Sequence, residues 1–480
     1  MSKQTAFDTD LRRVLEPVRV SFHVPGHKYG QAQQRGGYSP DPCYGLDTTE
    51  IPGTDNLHDP EEMILAAQER ASGFYRSRES FYLVNGSTSG VLAMLLAALN
   101  PGDKVLMGRD CHQSAFHGAW LAQAEIVWLM PDYDGDTLMN LGIGTEVIQR
   151  TLEAHPDAKA LFVTYPTYFG LCTDLQAAAA LCRERGVLLL VDEAHGAHLP
   201  LSPSLPMTAL TAGADLCVQS THKTLPALTQ SAMLHVGSGR VDRERLRWML
   251  RMVQTSSPSY LLMRSLDQAV ALATDWGPGE MERLLADIDL LQERLASVPG
   301  LLSGRQTWCG RGAVVAADPT KLILKGPALG LSGPALSEAL RGFGIQMELS
   351  TPWYTLGVAT IGNGSADIRS LGDALLQLAA TAPQGLEALP EPLSLPELPE
   401  RVMSWRDAAD RPRETVLLSE CIGRTAAAMV TPYPPGIPVL MPGERITESA
   451  AVYLEACLRT GISVIGLELK GVAGVPVVRP

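Results

Sequence analysis

The sequence predicts an α/β protein: a mostly parallel central sheet covered by helices, followed by a small α+β domain and a C-terminal domain. Three observations carry that expectation. Short apolar runs of four or five residues recur between about residues 61 and 275. Helix-length segments lie between several of them, such as 174–185 with its alanine-rich face, and strands alternating with helices build parallel sheets covered on both faces. The composition then breaks at 389–400, where four prolines stand among acidic residues and leucines, a linker by its chemistry.

In chain order, residues 1–60 are rich in Gly, Pro, Asp and His and read as an irregular N-terminal arm. A helix is expected over 62–74 and a strand over 81–84, then the turn 85–90 and an apolar helix to 99. Further strands are expected at 104–107, 125–129, 160–164, 187–191, 216–219 and 232–236, completing a large domain over 61–275. A helix over 281–298 leads into the small domain, 276–388, with strands at 313–317, 321–324, 345–349 and 355–361 and a helix over 366–380. The linker 389–400 and a C-terminal domain, 401–480, complete the chain.

A chain of 480 residues accommodates two or three such domains. Thirty-nine basic against fifty-two acidic side chains leave a net charge of −13, which argues against nucleic acid or an anionic membrane surface as partner. Eight scattered cysteines without a CxxC pair read as reduced thiols. The first sixteen residues lack an apolar signal core, and no run of about 20 apolar residues is available to span a bilayer. A cytoplasmic protein is expected.

Two strand ends carry the most chemistry. The apolar run 188–191 ends in Asp192, followed by Glu193, Ala194 and His195; the run 216–219 ends in Ser220, Thr221, His222 and Lys223. Ligands of an open α/β sheet bind at such C-terminal strand ends. A carboxylate there can keep a pyridine nitrogen protonated, and a lysine can form a Schiff base with an aldehyde. Ser220 and His222 flank the lysine within reach of an anion. Ser87 and Thr88, between a strand and a helix, suit a phosphate through free N–H groups and hydroxyls. His112, after the next strand, can stack on an aromatic ring. His195 and His198 stand three apart, but no cysteine or glutamate completes a metal-ligand set, so no metal is expected.

These segments resemble the fold-type-I pyridoxal-phosphate enzymes, in particular the ornithine/lysine/arginine decarboxylase family. The resemblance rests on FHVPGHK (22–28), GTDNLHDP (53–60), VNGSTSG (84–90), DCHQSAF (110–116), YPTYFG (165–170), VDEAHGAHL (191–199), QSTHKTLPALTQSAMLH (219–235), QTSSPSYLLMRSLD (254–267) and PYPPGIPVLMPGE (432–444). They recur in family order across nearly the whole chain, in a short form without the N-terminal wing domain of larger relatives. Gln113 stands where the family more often carries a lysine, and 108–110 departs from its commoner Arg-Asn pattern.

The resemblance implies pyridoxal 5′-phosphate as cofactor, with Lys223 as the Schiff-base lysine, Asp192 at the pyridine nitrogen and His112 stacked on the ring. It sets Ser87, Thr88, Ser220 and His222 around the phosphate and the lysine, and His195 near the ring. It implies a homodimer or higher homo-oligomer with shared sites, in which Thr255 and Ser257 reach the phosphate of the other subunit. The implied reaction is decarboxylation of arginine, lysine or ornithine through an external aldimine and a quinonoid, with Lys223 or His222 returning the proton to the α-carbon. Polyamine biosynthesis is its setting. Glu50, Asp55 and Glu444 are candidate carboxylates for the basic end of the substrate, each also open to a structural or solvated role. An aminotransferase or another lyase acting on the same first adduct is the alternative, and a non-catalytic cofactor-binding homologue a third.

Overall fold

The computed structural model describes residues 3–135, 137, 139–381, 395–433, 436–469 and 473–479. Residues 389–394 of the expected linker, and 434–435 of the proline-rich motif, lie outside the described residues. The chain opens with helix α1 (Ala6–Leu15), capped by the Thr5 side chain accepting from the Asp8 N–H. This corrects the expectation of an irregular arm for those residues. Phe7, Leu11 and Leu15 recur at helical spacing and bury against Tyr260, Met263 and Leu266, while the Asp8 carboxylate accepts from Arg264.

Helix α2 (Met63–Tyr75) leads into strand β1 (Glu79–Leu83) and helix α3 (Gly86–Ala98). There follow β2 (Lys104–Gly108), α4 (Gln113–Leu121), β3 (Glu125–Leu129), β4 (Ala160–Thr164), α5 (Leu175–Glu184), β5 (Leu188–Asp192), β6 (Leu216–Gln219), the one-turn helix α6 (Thr221–Thr224) and β7 (Ala232–Val236). The seven strands form one sheet in the order β1-β7-β6-β5-β4-β2-β3. β7 runs antiparallel to both its neighbours and the other pairings are parallel, so six strands share one direction.

The period of two along each strand sorts its side chains to opposite faces. Val105, Met107, Phe162, Leu190 and Val218 pack beneath α3, α4 and α7 (Arg243–Val253). Leu106, Leu161, Val163, Leu189 and Val191 bury against α5 on the other face. Both faces are covered, which is why these strands read as continuous apolar runs rather than alternating ones.

Helices α8 (Tyr260–Asp275) and α9 (Gly277–Arg294) carry the chain to a four-stranded antiparallel sheet. Its strands are β8 (Leu302–Ser303), β9 (Lys321–Lys325), β10 (Leu349–Ser350) and β11 (Tyr354–Val358), in the order β8-β9-β11-β10. The strand expected over 345–349 shrinks to β10, because 345–348 follow the turn that ends the helix Gly333–Gly342. Helix α10 (Ser365–Thr381) packs along α9. In the last segment β12 (Arg413–Leu417) pairs with β14 (Ala473–Val478), which also pairs with β13 (Glu468–Leu469), beside α11 (Glu448–Arg459). No helix among the described residues is long and apolar enough to cross a membrane.

Candidate functional site

The loops that leave β1, β2, β4, β5 and β6 emerge from one edge of the sheet, because those strands share a direction. Asp192 is the last residue of β5, in register between Thr164 of β4 and Val218 of β6. It is 4% exposed, and its Oδ1 accepts from the Ala194 N–H at 3.1 Å. Burial raises its pKa, against the lowering pull of His112 and Lys223 beside it. A carboxylate so buried, with one hydrogen bond from the protein, is suited to a cationic N–H donor supplied by a ligand.

Lys223 lies in α6, directly after β6. Burial depresses its pKa, with Asp192 and then Glu348 opposing the shift, and this enlarges the fraction of free amine at neutral pH. Its Nζ is 3.1 Å from His195 Nε2 and 5.9 Å from the centre of the Tyr168 ring. His222 Nδ1 donates to the Ser231 carbonyl at 2.8 Å, so its Nε2 carries the lone pair when the ring is neutral.

Across from α6, α3 begins immediately beyond β1. Gly86 has φ +75° at its first position, a left-handed conformation that lets the chain turn from strand into helix. Ser87 and Thr88 occupy the first turn, where backbone N–H groups have no partner within the helix. The Ser220 hydroxyl donates to that of Ser87 at 2.7 Å, drawing the two loops into one cradle. His112 caps α4: its Nδ1 accepts from the Ser114 N–H at 3.2 Å, which holds the ring while leaving it exposed. Buried carboxylate, low-pKa lysine, open imidazole and hydroxyl-lined helix start together suit an aromatic aldehyde that carries a phosphate.

Thr255 and Ser257 are exposed, and the Thr255 N–H donates to Asn85 Oδ1 at 3.2 Å, just before the cradle of the same chain. Two of the three candidate carboxylates for the substrate are otherwise engaged. Asp55 is buried and accepts from the N–H groups of Asn56, Glu61, Glu62 and Ile64, fixing the start of α2. Glu444 is buried in a two-pronged pair with Arg109, at 2.9 and 2.8 Å, and docks the C-terminal segment on the sheet. Glu50 is exposed near Tyr260.

The structure adds residues that the sequence reading passed over. Glu348, just before β10, accepts from the Tyr168 hydroxyl at 2.7 Å. Lys321, the first residue of β9, places Nζ 3.3 Å from His195 Nδ1. Asp318 lies 3.1 Å from His198 and accepts from the Thr320 hydroxyl at 2.7 Å. Their local sequence does not mark them: Lys321 merely begins the run 321–324, which reads as a strand.

Residues 6–297 match the Orn/Lys/Arg decarboxylase major domain, and residues 393–475 the C-terminal domain of the same family. An arginine decarboxylase of Halalkalibacterium halodurans is 35% identical, over 94% of this chain and 92% of its own length. One of Bacillus subtilis is 34% identical, over 97% and 96%. Among solved structures, the lysine decarboxylase LdcF of Francisella novicida superposes with a TM-score of 0.83 at 21% identity, over 99% of this chain and 81% of its own.

Proposed function

We propose, on the premise that this chain belongs to the Orn/Lys/Arg decarboxylase family and is a decarboxylase of basic amino acids, that its substrate is L-arginine and its product the corresponding amine, with pyridoxal 5′-phosphate held by Lys223 and Asp192. The observation that carries the cofactor assignment is the pairing of the buried carboxylate of Asp192 at the end of β5 with Lys223 directly beyond the neighbouring strand β6, each charge acting on the other. Arginine is favoured because the arginine decarboxylases match at 32–35% identity and the lysine decarboxylases at 23–24%.

When bound, the cofactor supplies an aldehyde that an amine can capture and a pyridinium ring that accepts the electron pair left as carbon dioxide departs. Asp192 holds the proton on the ring nitrogen, its own ionisation favoured once a cation lies against it. His112 presents its open face to the ring. The N–H groups of the first α3 turn, with Ser87, Thr88 and Ser220, bind the phosphate. His195 lies beside Lys223 at the ring. Lys223, protonated to an ammonium while the substrate occupies the site, would be the group that returns a proton to the α-carbon; His222 lies one residue away as a second candidate.

Glu348 replaces the earlier candidates as the carboxylate for the guanidinium. It acts on the charge of both Lys223 and Lys321, and Tyr168 orients it. In a homodimer, Thr255 and Ser257 complete the phosphate cradle of the partner. The reading places the protein in the cytoplasm, in the formation of polyamines. Offering arginine, lysine and ornithine separately and identifying the amine and carbon dioxide released tests it. A keto acid as product, or turnover of lysine or ornithine alone, would overturn the assignment.

A further inference from the structure

We propose that Lys321 is a positioning residue for the reaction. Donating from its ammonium to His195 Nδ1, it holds the imidazole proton on Nε2 and makes that nitrogen a fixed donor toward Lys223. The inference rests on the reading of Lys223 as the cofactor lysine.

Three groups stand in a row, Lys321 and His195 buried and Lys223 at the exposed end. Lys321 Nζ is 3.3 Å from His195 Nδ1, and His195 Nε2 is 3.1 Å from Lys223 Nζ. Lys321 is 3% and His195 7% exposed. The Lys321 stem is held by Gly170, where a side-chain carbon would come within 2.5 Å of the Lys321 Cγ. An ammonium has three donors and no acceptor, so the nitrogen facing it must carry a lone pair. With Nδ1 so engaged, the proton of the neutral ring resides on Nε2 whenever the Lys223 nitrogen, tied to the cofactor or as a free amine, offers it a lone pair rather than a third N–H.

A second proton on His195 is opposed from every side. Burial, the charges of Lys321 and Lys223, and the neighbouring His198 and His112 all push its pKa well below the ordinary range, and the Tyr168 ring lies 4.5 Å away. Lys321 itself faces Asp318, Lys223 and Glu348. Burial brings it down to about 8, Asp318 and Glu348 opposing the shift and Lys223 adding to it. Asp318 offsets the buried ammonium. Burial opposes its ionisation, but His198 and then Lys321 outweigh that and hold it at about 2. His195 is therefore a donor that takes no proton from the substrate, which leaves proton traffic at this place to Lys223.

The test is nitrogen NMR of the full chain labelled with 15N-histidine, with and without pyridoxal 5′-phosphate, the His195 signals being assigned from His195→Gln. Wild type is expected to show a single Nε2-protonated tautomer from about pH 6 to about 8, loosening above, where Lys321 loses its proton. Lys321→Met should give mixed tautomers, and Lys321→Arg, which keeps a donor, should restore one. The pH midpoint of the bound cofactor's absorbance should rise by about one unit in Lys321→Met, because a cation near Lys223 is lost, and return in Lys321→Arg. A natively melting Lys321→Met with an unchanged His195 tautomer overturns the proposal. Should that variant not fold, wild type decides alone: an Nδ1-protonated His195 at neutral pH overturns it. A borohydride label found away from Lys223 would overturn the cofactor reading and leave the tautomer result standing.

Discussion

Tyr168 and Glu348 meet across the cleft, the phenol donating to the carboxylate at 2.7 Å although 180 residues separate them. Tyr168 sits on the loop after β4 and Glu348 beside β10, so this hydrogen bond ties the small domain to the sheet edge where Lys223 emerges. Burial, reinforced by Glu348, raises the phenol well above its ordinary value. It therefore remains a donor at any physiological pH and keeps the carboxylate oriented.

If Glu348 receives the cationic end of the substrate, Glu348→Gln removes a charge-assisted hydrogen bond worth about 1.5–3 kcal/mol. The kcat/KM for arginine should fall about 10- to 100-fold, mostly through KM. Tyr168→Phe, which leaves the charge and removes only its orienting donor, should cost less. Steady-state kinetics of both variants against arginine decide this, and an unaltered KM in Glu348→Gln would exclude the role.

Lys223→Ala should abolish the yellow absorbance of the bound cofactor together with turnover. Borohydride reduction of wild type followed by peptide mapping should label Lys223. Because burial lowers the pKa of this amine, its capture of the aldehyde should extend to lower pH than an exposed lysine allows. A variant spectrum identical to wild type would show that another lysine holds the cofactor.

The sheet was legible because its inner strands are buried on both faces, and such strands appear as bare apolar runs between helical segments. Asp192 and Lys223 were legible because each ends such a run, as at 188–191 and 216–219. Helix α1 was missed because Phe7, Leu11 and Leu15 stand among charged and polar residues, and their partners on α8 lie some 250 positions away. Lys321 and Glu348 were missed for a related reason: neither has chemistry in its local sequence, and each reaches the site only through the small domain. Glu444 shows the converse, its structural role rather than its substrate role being the one realised. Its motif invited a substrate role, but a carboxylate in an acidic chain reveals nothing of the arginine 335 residues away that neutralises it.

Asp192→Asn keeps the side chain's shape and hydrogen-bonding reach but loses the charge that sustains a protonated ring nitrogen. The variant should still bind cofactor and lose about 10²- to 10³-fold in kcat, the scale of removing one preorganised electrostatic partner. Cofactor content from absorbance, measured beside kcat, separates the two effects. Near-wild-type turnover would mean that this carboxylate has another task.

The exposed stretch with Thr255 and Ser257 lies one hydrogen bond from Asn85, at the mouth of the cradle. If it serves the partner's phosphate, a Lys223→Ala chain and a Thr255→Ala/Ser257→Ala chain are each inactive for different reasons. Mixing them should regain activity in hybrid dimers that contain one intact site, to about a quarter of wild type if subunits pair at random. No recovery after verified subunit exchange would confine the site to a single chain.

Glu193, next to Asp192, points to the opposite side of the strand and is wholly buried. It accepts from the Ala209 N–H at 2.6 Å, Gln219 Nε2 at 2.7 Å and Cys217 Sγ at 3.3 Å. Burial outweighs these bonds and lifts its pKa from 4.5 to about 7. Between those values the folded chain keeps a proton that the unfolded chain has released. Stability conferred by this group is thus fully present below 4.5, falls as pH rises through the window, and is level above about 7. The span corresponds to about 3 kcal/mol. Glu193→Gln cannot ionise and should lack this dependence, so its stability relative to wild type should improve by about that amount between pH 4.5 and 7. Urea unfolding of both proteins at the two ends of the window measures the difference, and an equal gap at both ends would refute the assignment.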